Sequence, residues 1–155
     1  MSDTPQRHPP PPRKPRVALF GTMNPDPAKD WRRAVGPRLA ALGYEVLDNT
    51  DDGAWEEAER IGKAEVFAPL IRHDLELMRS ADLVLWRNQG DLLGKTARIE
   101  LGRVLERSAL AVVEVAPEAP GREKLRANVL LAKRAHWVDT LDGALELIRR
   151  LLPVG

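Results

Sequence analysis

Residues 83–108 read LVLWRNQGDLLGKTARIELGRVLERS, and the change of pattern inside them decides the fold. Leu83 to Trp86 is a short, unbroken apolar run, as in a strand covered on both faces of a parallel sheet. A loop, RNQGDLLGK, follows. From Thr96 to Ser108 the apolar residues Ala97, Leu101, Val104 and Leu105 then recur at helical spacing. Strand followed by amphipathic helix is the repeating unit of an α/β fold, and the same unit recurs on either side. Upstream, Val17 to Phe20 (VALF) is closed by Gly21, and a loop over Thr22 to Pro27 leads to a helix over about Ala28 to Leu42. A second strand at Tyr44 to Leu47 is followed by turn formers at Asn49 to Gly53 and a helix over Glu65 to Ala81. Downstream come strands at Leu110 to Val115 and His136 to Val138, with helices at about Arg122 to Arg134 and Leu141 to Leu152. Asp139 or Thr140 supplies the N-cap of the last helix. Strict alternation without hairpin signals predicts a three-layer α/β sandwich with a five-stranded parallel sheet in the flavodoxin-like order 2-1-3-4-5. In that order the chain reverses between strands one and three, and ligands bind at their carboxyl ends.

Composition narrows the function classes. With 24 basic and 23 acidic side chains, a net charge of +1 gives no electrostatic case for nucleic acid or a membrane surface as partner. Zero cysteines exclude disulfides and thiol catalysis, and three scattered histidines form no metal pattern. The absence of a long apolar run or an apolar leader predicts a cytoplasmic protein. Residues 1–15, MSDTPQRHPPPPRKP, carry six prolines and are expected to form an extended, disordered tail ahead of one domain over 16–155.

Two carboxylates break the apolar patterning. Asp74 falls near the middle of the stripe formed by Phe67, Leu70, Ile71, Leu75 and Met78, and Glu100 lies at the edge of the next helix's stripe. A buried carboxylate is usually paired, protonated or used. The bland alternatives are a salt bridge from Asp74 to Arg72 or another arginine, and a first-turn glutamate at Glu100 held by its helix dipole or by Arg98. On the dipole argument Glu100 is the more readily ionised of the two, with Asp74 held protonated by apolar surroundings.

The order Gly21-Thr22, Asp30-Trp31, Asn49 after strand two, Asp74-Leu75 on an inward helix, Ala81-Asp82 before strand three, and Glu100-Leu101-Gly102 resembles the nucleoside 2-deoxyribosyltransferase-like superfamily, in particular its divergent deoxyribosyltransferase-like branch. The resemblance covers about Val17 to Val115. It implies cleavage or transfer of the N-glycosidic bond of a nucleoside or nucleoside monophosphate, with Glu100 as nucleophile and Asp74 assisting near the sugar or base. It also implies no cofactor, a small-molecule nucleoside or nucleotide partner, and a homodimer or larger homo-oligomer. Typical members carry an aspartate six residues before the nucleophile, where this chain has Gly94, and a tyrosine after strand one, whereas the one tyrosine here is Tyr44. Those departures favour hydrolysis, or a lost activity, over base exchange. A non-catalytic nucleotide-binding module and an NAD-cleaving glycohydrolase of related architecture are the competing readings.

Around the carboxylates, Gly21 and Thr22 offer backbone N–H groups and a hydroxyl to a sugar or phosphate oxygen. Trp31 is equally suited to core packing and base stacking, while Trp55, in polar surroundings, suits a ligand wall. Asn49 and Arg98 complete the expected substrate-binding set. A cluster of Thr22 with Arg98 would favour a monophosphate, and a crevice closed by Trp55 without basic residues a free nucleoside. Trp86 and Trp137 read as core. GDLLGK lacks the spacing of a phosphate loop.

Overall fold

A computed structural model describes residues 13–24, 26–48, 50, 53–89 and 95–155. Five strands, β1 (Arg16–Gly21), β2 (Glu45–Leu47), β3 (Leu83–Asn88), β4 (Ala111–Val115) and β5 (Ala135–Val138), form one sheet in the order 2-1-3-4-5. Every neighbouring pair is parallel, as the alternation predicted.

Helices α1 (Trp31–Ala41) and α6 (Leu141–Leu151) cover one face of the sheet; α3 (Ala64–Ser80), α4 (Lys95–Arg107) and α5 (Arg122–Leu131) cover the other. The strands supply both cores by alternation. Val17, Leu19, Leu83, Leu85 and Val112 meet α1 and α6, while Ala18, Phe20, Val84, Trp86 and Val113 meet α3, α4 and α5. Burial of each such Leu or Val side chain contributes roughly 1.5–3 kcal/mol. Thr140 caps α6, its Oγ1 accepting from the Gly143 N–H at 3.0 Å.

Three local features differ from the sequence reading. An additional helix, α2 (Ala54–Ile61), precedes α3 where turn residues were expected to lead straight into the Asp74 helix. It is short and mostly polar, with Ala58 its one buried residue, so its apolar period is too brief to register in the sequence. Strand β3 continues past Trp86 through Arg87 and Asn88, which pair with Glu114 and Val115. Charge hid this extension. Arg87 Nε donates to Glu114 Oε2 at 2.8 Å, so a polar pair occupies a strand position that patterning reserves for apolar residues. Third, the helix after β1 starts at Trp31, behind a single 3-10 turn at Pro27–Lys29.

Of the expected N-terminal tail, residues 1–12 lie outside the described residues. Arg13 already belongs to the domain, its guanidinium forking onto both carboxylate oxygens of Asp82 at 2.9 and 3.0 Å. The Pro15 carbonyl accepts from the Glu45 N–H at 2.9 Å.

Candidate active site

The site begins with a backbone constraint at the carboxyl end of β1. Gly21 has φ +130, and a Cβ there would lie 1.9 Å from the Arg87 carbonyl oxygen. Only glycine lets β1 approach β3 this closely. The next residue ties the strands together, the Thr22 N–H donating to Arg87 O at 3.0 Å. The Gly21 N–H points elsewhere and donates to Glu100 Oε1 at 2.8 Å. The same oxygen accepts from the Trp86 indole Nε1 at 3.2 Å. Trp86, expected to be core, is fully buried and also orients the carboxylate. Oε2 has no hydrogen-bond partner among the described residues.

Glu100 is the sixth residue of α4, one turn deeper than its expected place, and the first turn of that helix carries no acidic residue. The helix dipole therefore does not hold it ionised. Burial pushes its pKa up to about 7; the Arg32 charge lowers it, Asp74 raises it, and the bonds from Gly21 and Trp86 lower it. Asp74, 7% exposed on α3, is likewise pushed up to about 7 by burial, against the charges of Arg32 and Arg103. The helix-dipole argument for Glu100 is thus corrected. Both carboxyls are desolvated and both titrate near neutrality. Arg72 is exposed and takes no part.

The residue that joins them is Arg32, which the sequence reading missed. It is 4% exposed. Nη2 donates to Gly21 O at 3.0 Å; Nη1 donates to Thr22 O at 3.1 Å and to both oxygens of Asp30 at 3.0 and 3.1 Å. Asp30 is also the N-cap of α1, accepting from the Arg32 N–H at 3.0 Å and from the Asn24 N–H at 2.9 Å. An arginine at the second position of a helix reads as solvent-facing. The available signal was the Asp30-Trp31-Arg32 run, in which a capping carboxylate can fold the guanidinium back over the strand end.

The other expected residues divide. Trp31 is 3% exposed in the core with α6, its indole N–H donates to Thr22 O at 3.0 Å, and the Arg32 guanidinium lies 4.8 Å from its ring centroid. Thr22 is buried, its hydroxyl accepting from the Gln89 N–H at 2.9 Å. Arg98 turns away and donates to Pro120 O at 2.8 Å, so it forms no phosphate cluster with Thr22. Asn49 lies outside the described residues, as does Gly94. Trp55 is half-buried on α2, 6.2 Å from the Phe67 ring, and forms one wall of a cleft of about 450 Å³ beyond the carboxyl ends of β1 and β2. Arg32 also lines that cleft and is the charge that acts on both carboxyls; neither Asp74 nor Glu100 is among the cleft's described lining residues.

Among the described residues no group of three His, Asp or Glu side chains is arranged to hold a metal ion, and no helix is long and apolar enough to cross a membrane.

No protein-family profile matches the sequence, and no curated protein matches it. Among solved structures the chain is similar to the CMP N-glycosidase BcmB of Clostridium botulinum, at 16% identity with a TM-score of 0.50. The match covers 88% of this chain and 97% of that one, and at this identity it is a likeness of fold.

Proposed function

We propose that the protein cleaves the N-glycosidic bond of a nucleoside or nucleoside monophosphate, with Glu100 as nucleophile and Asp74 as general acid. The observation that carries this reading is the pair of carboxyls on one face of the sheet, both driven to about 7 by burial and both within the field of the buried Arg32. Two carboxyls coupled through their charges in this way hold a single proton near neutrality. Two N–H donors on Oε1 favour the ionised form at Glu100, which leaves the proton on Asp74. Oε2 of Glu100 bonds to the anomeric carbon while the C–N bond breaks. The bonding pair passes to the base nitrogen, which takes the Asp74 proton. In the second half-reaction Asp74 accepts a proton from water as the hydroxide displaces Glu100. The fold likeness to a CMP N-glycosidase supports the same bond class.

The missing aspartate at Gly94 favours water over a second base as acceptor. A homodimer is part of the reading, and sedimentation at micromolar concentration tests it: a monomer throughout argues against it. The decisive experiment incubates the protein with nucleosides, nucleoside monophosphates and NAD and follows release of free base. Cleavage that falls by about a thousandfold or more in Glu100→Gln, with the fold kept, is the expected result. Wild-type cleavage by Glu100→Gln refutes the mechanism, and no release from any substrate refutes the activity.

A further inference from the structure

The cleft lined by Trp55 and Arg32 has a polarity of its own. Its polar side chains are mostly acceptors: four carboxylates, Asp30, Asp48, Glu56 and Glu59, against the two guanidiniums of Arg32 and Arg33. Asp30 is consumed by Arg32 and its helix cap. Asp48 Oδ1 accepts from the Thr50 N–H and hydroxyl at 3.0 and 2.6 Å. Glu56 and Glu59, exposed on α2, have no partner among the described residues, and they stand on the same short helix as Trp55. Arg32 is more than nine-tenths buried, and its buried Nε has no hydrogen-bond partner among the described residues.

These elements fit one kind of ligand. A flat aromatic wall suits a planar ring, and outer carboxylates suit an exocyclic amino group. Cytosine and adenine carry that amino group, whereas uracil and hypoxanthine present a carbonyl oxygen at the same position, lone pairs facing lone pairs. We infer that the Trp55 cleft is the base subsite and that it selects amino-bearing bases over their oxo counterparts. The inference rests on the N-glycosidic reading of Glu100 and Asp74 and adds the substrate class.

Matched pairs test it. Cytidine against uridine, and adenosine against inosine, differ only by amino for oxo, and each pair is assayed both as nucleoside and as 5′-monophosphate. One charge-assisted hydrogen bond predicts an advantage of about tenfold or more in kcat/KM for the amino member. The double variant Glu56→Gln, Glu59→Gln replaces exposed side chains, leaves the core untouched, and should reduce that ratio to within about threefold. Binding of free cytosine and uracil, read by quenching of tryptophan fluorescence with Trp55→Phe as reference, reports the subsite without turnover. Cleavage with equal rates on both members of each pair overturns the inference and leaves the glycosidase reading intact. Selective binding of cytosine without cleavage of any substrate supports the subsite and overturns the glycosidase. Neither binding nor cleavage overturns both.

Discussion

Asp74→Asn keeps the shape of the buried side chain and removes its titration. In the folded protein the carboxyl is moved from its ordinary 3.8 to about 7, chiefly by burial. A rise of that size penalises the ionised form by about 4 kcal/mol. The folded state therefore binds more protons than the unfolded chain between about pH 4 and pH 7. Stability is fully present below the unfolded value and is lost as pH rises through the folded one. Asparagine has no such dependence. The stability of Asp74→Asn relative to wild type should grow across that window by up to about 4 kcal/mol, a large share of the 5–15 kcal/mol typical of a domain. Loss of the Asp74 charge also lowers the Glu100 pKa, because Asp74 raises it in the wild type. What remains of the pH dependence then moves to lower pH. Urea unfolding followed by tryptophan fluorescence at pH 4.5, 6 and 8 measures both effects. A variant whose stability stays parallel to wild type at all three values refutes the picture of a desolvated, coupled pair.

Further expectations follow from single contacts. Trp86→Phe removes the indole donor from Glu100 Oε1 and should raise the Glu100 pKa, shifting the acid limb of the pH–rate profile upward by about one pH unit; an unmoved limb would show that the indole does not tune the carboxylate. Gly21→Ala places a methyl against the Arg87 carbonyl at a φ that disfavours alanine, and should cost more than about 3 kcal/mol in chemical denaturation, with wild-type stability as the contrary result. Deleting residues 2–12 should leave the melting temperature unchanged. Extending the deletion through Pro15 removes the Arg13 fork on Asp82 and a backbone acceptor for Glu45, and should lower it by about 3 °C; equal melting temperatures would contradict this boundary.

Much of this was legible in the sequence because it depends on local periodicity. VALF and LVLW specify strands buried on two faces, the helical stripes between them specify helices, and the alternation restricts the sheet to one common order. Asp74 was visible as a charge in the centre of an apolar stripe, and Glu100 as one at its edge. What could not be read locally was which side chains fold back over the sheet's rim. Arg32 lies on the opposite helical layer from Asp74 and Glu100, and its charge acts on them only because Asp30 and the carbonyls of Gly21 and Thr22 draw its guanidinium over the end of β1. Trp31, its neighbour, was left open between core and ligand, and the tertiary packing placed it in the core. Trp86 acquired its second role because the close approach of β1 and β3 at Gly21 leaves two donors aimed at one oxygen of Glu100. Pattern in a chain records which faces are buried. The protonation of two carboxyls depends on distances between groups 14 to 79 positions apart in sequence, and those exist only once the layers are assembled.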